Sequence, residues 1–150
     1  MGADVGIRAR VADIPTPEFS DTPVVVAPPL TEAKVAIVTT AGLKAAGEAA
    51  LWQPTDGSFT VLAGSDRDVQ LSHFSPNFDR TGFAADINTV FPIDRLDELA
   101  AQGIIGRVAD EHLAYAGNQF ELSAIRMDSG PAGAKRMRAH GVDVVLLTPV

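Results

Sequence analysis

Apolar residues cluster in short blocks from Lys34 onward, and these blocks predict a sheet. Residues 35–38 form a compact apolar run that ends at the turn 39–42, as expected of a buried first strand. Residues 58–63 and 69–71 predict a second and a third strand. In residues 141–150 the apolar positions run together instead of alternating, which is typical of a buried parallel strand.

Helical patterns lie between these strands. Residues 91–103 place their apolar side chains on one stripe and end at Gly103, which predicts an amphipathic helix. A second helix is predicted from Ser129 to Gly141, and a short one over residues 43–52. Strands alternating with helices favour an α/β fold with a mostly parallel open sheet flanked by helices, flavodoxin-like or Rossmann-like, whose last βα unit is incomplete.

The first 33 residues differ in composition from the rest of the chain. Five prolines occur between positions 15 and 29, and each fixes φ and removes a hydrogen-bond donor. We therefore divide the chain into an extended, proline-rich N-terminal arm over residues 1–33 and an α/β domain over residues 34–150. A disordered leader is the alternative interpretation of the arm.

Charge and cysteine content exclude several classes of function. The net charge is −7 without a dense basic run, which disfavours nucleic-acid binding. The chain has no cysteine, and its three histidines share no metal-ligand spacing with carboxylates, so we expect neither a thiolate site nor a metal site. No apolar run is long enough to span a bilayer and no signal-peptide pattern is present, so we expect a cytoplasmic protein.

The loop after the third predicted strand is dense in polar and aromatic residues. Within residues 71–88 it carries His73, Asp79, Asp86 and Asn88, interleaved with phenylalanines. Loops held on a rigid sheet commonly carry binding groups, so the segment is a candidate site. The alternative is turn chemistry, in which the Asp and Asn side chains satisfy backbone donors before the next helix.

These segments carry a resemblance to a known family. In order and spacing over nearly all of residues 22–150, the chain resembles the selenoprotein B family of the glycine, sarcosine, betaine and D-proline reductases, most closely the selenocysteine-bearing D-proline reductase type. The matching segments are Val35–Gly42, Leu71–His73, Asp86–Asn88, Val90–Ala100, Gly130–Pro131 and Gly141–Thr148.

The resemblance implies a chemistry and a partner. In the family, selenocysteine follows the last strand, a pyruvoyl group on a partner subunit captures the substrate amine, and a C–N bond of an amino acid or related amine is cleaved reductively. The resemblance therefore implies that residues 1–150 stop just before the selenocysteine, contain no cofactor of their own and are inactive alone. An oligomeric assembly is left open.

Strand-end geometry together with the matching segments indicates where a small amine or amino-acid substrate would bind. No catalytic residue is assigned. The loops at 74–78 and 118–120 depart from the family pattern, and both are expected to flank the site. The candidate substrate-binding residues are Thr39, Thr40, His73, Asp79, Asp86, Asn88 and Thr148.

Two other functions are compatible with the sequence. The first is a non-enzymatic α/β binding or assembly module that ends naturally at Val150 and uses the arm and the exposed strand end as an interface. The second is a small-molecule hydrolase using His73 with Asp79, which no nucleophile motif supports.

Overall fold

The strand Lys34–Thr39 (β1) is the centre of the fold. The computed structural model describes residues 3–13, 18, 25–48, 52–75, 80–119 and 121–150. Val35 pairs in parallel with both Val108 and Val144, so β1 has a strand on each side. The other elements are α1 (Ala3–Ala12), β2 (Leu43–Ala45), β3 (Phe59–Ala63), β4 (Val69–Leu71), α2 (Thr81–Ala85), a 3₁₀ turn (Ile87–Thr89), α3 (Ile93–Ala101), β5 (Arg107–Val108), β6 (Glu111–Tyr115), a π-helical turn (Ile125–Ser129), α4 (Gly130–Ala139) and β7 (Val144–Thr148).

The sheet is mostly parallel. On one side of β1 lie β5 and then β6, and on the other side lies β7, all parallel to β1. Strand β3 extends the sheet beyond β6 in the antiparallel direction. Strands β2 and β4 form a separate antiparallel pair.

Helices cover both faces of the sheet. Val35 and Ile37 of β1 pack in a buried cluster with Ile93 and Leu96 of α3. Ala36, on the opposite face, packs in a second cluster that includes Met137 of α4. This two-sided covering confirms the predicted α/β class with a mostly parallel sheet flanked by helices.

The predicted strands over residues 58–63 and 69–71 and the helices over residues 91–103 and 129–141 are confirmed. The short helix predicted over residues 43–52 is wrong at its start, because Leu43 is fully buried and pairs with Leu71 in β2–β4. Gly47 then takes a positive φ of 86°, which is incompatible with a continuing helix.

The N-terminal arm and the last strand also differ from the sequence expectation. Residues Ala3–Ala12 are helical rather than extended, since the first proline comes only at position 15. Strand β7 is parallel, as predicted, but it is not buried: Leu147 is 67% exposed. Among the described strands β7 pairs with β1 alone, so it lies at an edge, and its long apolar run does not reflect burial on both faces. The boundary between arm and domain stays a prediction.

Candidate functional site at the carboxyl edge of the sheet

Two threonines join the ends of β1 and β7 to the segment that precedes α3. Thr39 and Thr148 pair in register, and each hydroxyl donates to the Val90 carbonyl oxygen at 3.0 Å. The Thr39 hydroxyl also accepts from the backbone N–H of Ala41 at 3.2 Å. Both predicted site residues therefore make structural hydrogen bonds on the α3 side of the sheet.

Removing these hydroxyls tests that role. We expect Thr148→Val to lower the free energy of unfolding by about 1 kcal/mol, since Thr39 still donates to Val90. Thr39→Val should cost more, about 2–3 kcal/mol, because it also leaves the Ala41 N–H without its acceptor. The double variant leaves the carbonyl of Val90, a buried residue, without either donor and should cost more than the sum of the single changes. Urea denaturation of the four proteins measures this coupling. A double variant that is additive within about 0.5 kcal/mol would contradict the shared-acceptor arrangement.

Thr40 faces the other side of the sheet and lines a cleft of about 410 Å³. Its hydroxyl accepts from the Val150 N–H at 2.9 Å. The segment after β6 forms the opposite wall with Gly117, Asn118 and Gln119. The volume lies in the range usual for small-molecule sites, and the position, at the carboxyl ends of parallel strands, is where α/β sheets bind ligands.

His73 lies next to Gly117, a wall residue of this cleft, but does not itself line the cleft. Its side chain is buried, and Nδ1 accepts from the Ser75 N–H at 3.0 Å, so the neutral ring carries its proton on Nε2. A Cβ at Gly117 would lie 3.3 Å from His73 Nε2 and 3.0 Å from the Thr40 carbonyl oxygen. The missing side chain of Gly117 thus lets the imidazole approach the strand ends.

The environment of His73 keeps its imidazole neutral. Burial lowers the pKa of His73, and the nearby Arg80 guanidinium lowers it further. Arg80 also donates to the His73 carbonyl oxygen at 2.9 Å, which holds the loop against the sheet. At neutral pH the ring is therefore a hydrogen-bond donor through Nε2 and not a cation.

Asp86 and Asn88 form a capping network before α3. Asp86 accepts from the backbone N–H and the side-chain amide of Asn88 at 2.9 and 2.8 Å, and these bonds lower its pKa. Asn88 in turn donates to Asp94 and accepts from its backbone N–H. Turn chemistry, the alternative interpretation of these two residues, therefore describes their contacts. Asp79 lies outside the described residues.

Sequence reasoning placed Thr40 and His73 near the same strand ends, and the structure places Thr40 in the cleft wall and His73 behind Gly117 with its Nε2 buried. It expected the loop 118–120 to flank the site, and Asn118 and Gln119 do line the cleft. It did not single out Gly117 or Asn118 as site residues. The signal that could have found them is the Gly-Asn pair directly after an apolar run.

The model of the family "Glycine/sarcosine/betaine reductase selenoprotein B" matches residues 9–150. The chain belongs to the selenoprotein B family. The resemblance deduced from the sequence is thereby confirmed.

Curated members of the selenoprotein B family are longer than this chain. It is 33% identical over 121 residues to the D-proline reductase subunit gamma of Acetoanaerobium sticklandii, covering 79% of this chain and 49% of that protein. It is 28% identical over 142 residues to the glycine reductase complex component B subunit gamma of Carboxydothermus hydrogenoformans, covering 91% of this chain and 32% of that protein. The chain thus spans half or less of the length of these relatives. No solved structure matches it.

None of the helices in the described part of the chain combines the length and the apolar character needed to cross a membrane. The cytoplasmic location stays a prediction.

Proposed function

We propose that the chain is part of a subunit of a selenocysteine-dependent reductase that cleaves a C–N bond of an amino acid or related amine. The observation that carries this proposal is the family match over residues 9–150. The cleft supports it, because it is at the sheet edge where α/β enzymes bind small substrates. The relatives act, by their names, in D-proline and glycine reductase.

The redox group comes from outside these residues, since the sequence has neither cysteine nor selenocysteine. When present, a selenolate would supply a nucleophile that is ionised at neutral pH without a dedicated base, and a pyruvoyl group on a partner subunit would supply an electrophilic carbonyl for the substrate amine. Among the described residues no side-chain carboxylate lines the cleft, so a selenolate at its mouth would meet no side chain of like charge there. Residues 1–150 alone are accordingly inactive in this proposal.

The residues of this chain bind and orient the substrate. Thr40 lines the cleft, and His73, whose Nε2 is buried in this structure, is held as a neutral donor behind Gly117. Thr39 and Thr148 fix the ends of β1 and β7, and Asp86 and Asn88 fix the segment leading into α3. Asp79 is kept as a substrate-binding candidate on the sequence pattern alone.

Turnover by the native complex tests the proposal. The complete reductase, purified with its partner subunits from its own host, should release a ring-opened or deaminated product from D-proline, glycine, sarcosine or betaine when supplied with a dithiol. The 150-residue chain alone should give none. Absence of cleavage of all four compounds by the intact complex would refute the proposed function.

In that complex, the variant His73→Asn distinguishes a role of His73 in substrate binding from a role in folding. An Asn side-chain oxygen can still accept from Ser75, but Nε2 is lost, so we expect turnover to fall about ten- to a hundredfold while stability changes by less than about 1 kcal/mol. His73→Gln, which can place an amide donor near the former Nε2, is the matched control and should recover part of the loss. A large loss of stability with unchanged specific activity would instead assign His73 a purely structural role.

A further inference from the structure

The outer edge of β7 carries no protection against pairing with another strand. Its five residues, Val144–Thr148, contain no charge and no proline, and they pair with β1 without interruption. Among the described strands, none pairs with the opposite side of β7. Folded proteins usually block such an edge with a charge, a proline, a bulge or a covering segment. The side chains of Val145, Leu146 and Leu147 are moreover exposed, so the edge is apolar as well as open.

The hydrogen bonds of β1 show which of its backbone groups point toward β7. The Ile37 N–H donates to His112 Nδ1 at 2.9 Å. The Val35 carbonyl oxygen accepts from the Ala109 N–H, also at 2.9 Å. The odd-numbered residues of β1 therefore form hydrogen bonds on the side of β5 and β6. Because successive residues of a strand direct these groups to alternate sides, the even-numbered residues of β1 form theirs on the side of β7.

The same alternation determines which groups of β7 point to the open edge. The Thr40 N–H donates to the Thr148 carbonyl oxygen at 3.3 Å, so the even-numbered residues of β7 form hydrogen bonds to β1. The odd-numbered residues of the strand, Val145 and Leu147, consequently direct their N–H and C=O groups outward. These are the groups that a further strand would bind.

The residues on either side of β7 add no unused donor to this edge. Before the strand, the Asp143 N–H donates to the Lys34 carbonyl oxygen at 3.0 Å. After the strand, Pro149 has no N–H to donate. The open edge therefore offers two donors, the N–H groups of Val145 and Leu147, together with the carbonyl oxygens of the same residues.

We propose that the β7 edge is an interface between two copies of this chain, paired antiparallel around a two-fold axis at Leu146. In this register Val145 of one copy lies opposite Leu147 of the other, and each such pair exchanges both N–H···O=C bonds. Every outward-pointing group of the two residues is then used. The five residues of β7 overlap completely, which buries apolar side chains on both faces of the sheet. A two-fold axis closes the assembly at two copies. The inference does not depend on the proposed function.

Sedimentation equilibrium on the 150-residue chain tests the interface. We expect a species of twice the 15.7 kDa chain mass to be populated at about 100 µM, since a small strand-edge interface gives weak to moderate affinity. Leu147→Lys adds a charge to the edge at a side chain that is 67% exposed, and it should weaken dimerisation about tenfold or more. Met127→Lys is the matched control, because it adds the same charge to an exposed side chain outside β7, and it should leave the dimer unchanged.

Introduced cysteines test the register, since the chain has no cysteine of its own. Leu146→Cys should form an intermolecular disulfide in a glutathione redox buffer, because the Cα atoms of a non-hydrogen-bonded antiparallel pair lie about 4.5 Å apart. Val145→Cys and Leu147→Cys should cross-link when the two variants are mixed. Either of these two variants alone should cross-link much less, because neither residue lies opposite its own copy.

Several results would overturn the inference. A single-copy mass at this concentration would leave the edge to a different occupant, such as a segment of the longer subunits found among the relatives. Association beyond two copies, equal dimerisation of Leu147→Lys, an equal effect of Met127→Lys, or efficient cross-linking of Val145→Cys alone would each contradict the two-fold pairing. Circular dichroism checks that Leu147→Lys is folded, and if it is not, the cysteine variants decide the question.

Discussion

Replacing Phe91 with Ala is expected to lower the free energy of unfolding by about 3–5 kcal/mol, the largest effect of any single change considered for this chain. Phe91 has no solvent exposure and belongs to the core cluster between the sheet and α3. Its ring also meets the ring of His112 edge to face, with centroids 5.3 Å apart at an angle of 81°. Truncation therefore leaves a cavity and removes an aromatic contact at once.

Two further variants show that burial is the cause. Phe91→Leu keeps most of the apolar volume and should cost clearly less than Phe91→Ala. Met127→Ala removes a side chain that is 76% exposed and should change stability by less than about 0.5 kcal/mol. Urea denaturation at neutral pH measures all three. A cost for Phe91→Ala below about 1.5 kcal/mol would show that the α3 side of the core can collapse around the gap.

Local sequence rules predicted the elements whose residues all favour one structure. Helix α3 has a continuous apolar stripe and a terminal glycine, and Gly103 indeed takes a positive φ of 69°. Strand β6 was missed because it begins with the polar pair Glu111-His112, and a buried histidine looks like a loop residue when its partner is unknown. That partner is the Ile37 N–H, a tertiary contact between residues 75 positions apart.

The location of the site was easier to predict than the roles of its residues. The position of the carboxyl edge follows from the order of the elements in a parallel sheet. That position predicted three residues at the strand ends as site residues, Thr39, Thr40 and Thr148. Successive strand residues face opposite sides, so Thr39 turned to Val90 while Thr40 turned to the cleft. Which side carries the cleft depends on the packing of the segment after β6, and no local pattern in the sequence determines it.

Acidification should destabilise the protein through His112. The imidazole is fully buried, and its Nδ1 accepts from the Ile37 N–H at 2.9 Å, at the interval where β1 passes from pairing with β5 to pairing with β6. Burial, and to a lesser extent the Arg67 guanidinium, lower the pKa of His112 from 6.5 to about 4. Protonation of Nδ1 would replace an acceptor by a donor facing another donor and would bury a charge.

The direction of the effect follows from linkage. Because the pKa is lower in the folded state, the unfolded state binds the proton first, and stability is complete above the unfolded value of about 6.5. It falls as the pH drops toward the folded value of about 4, by about 3 kcal/mol at most. The pKa values of the Asp86, Asp94 and Glu111 carboxylates are also lowered, so these groups change the stability only at a pH below the usual carboxylate range. The change in stability between about pH 6.5 and about pH 4.5 is therefore due to the histidines.

His112→Asn separates this titration from packing. The Asn side-chain oxygen can accept from Ile37, but it does not titrate, so the variant should be less stable than the parent at neutral pH and lose much less on acidification. Urea denaturation from about pH 7.5 to about pH 4.5 at constant ionic strength measures both slopes. Any slope that persists in His112→Asn is assigned to His73, whose pKa is lowered in the same direction, and should vanish when His73→Asn is added. An unchanged slope in the single variant would mean that His112 titrates alike in the folded and the unfolded protein, which would contradict the prediction.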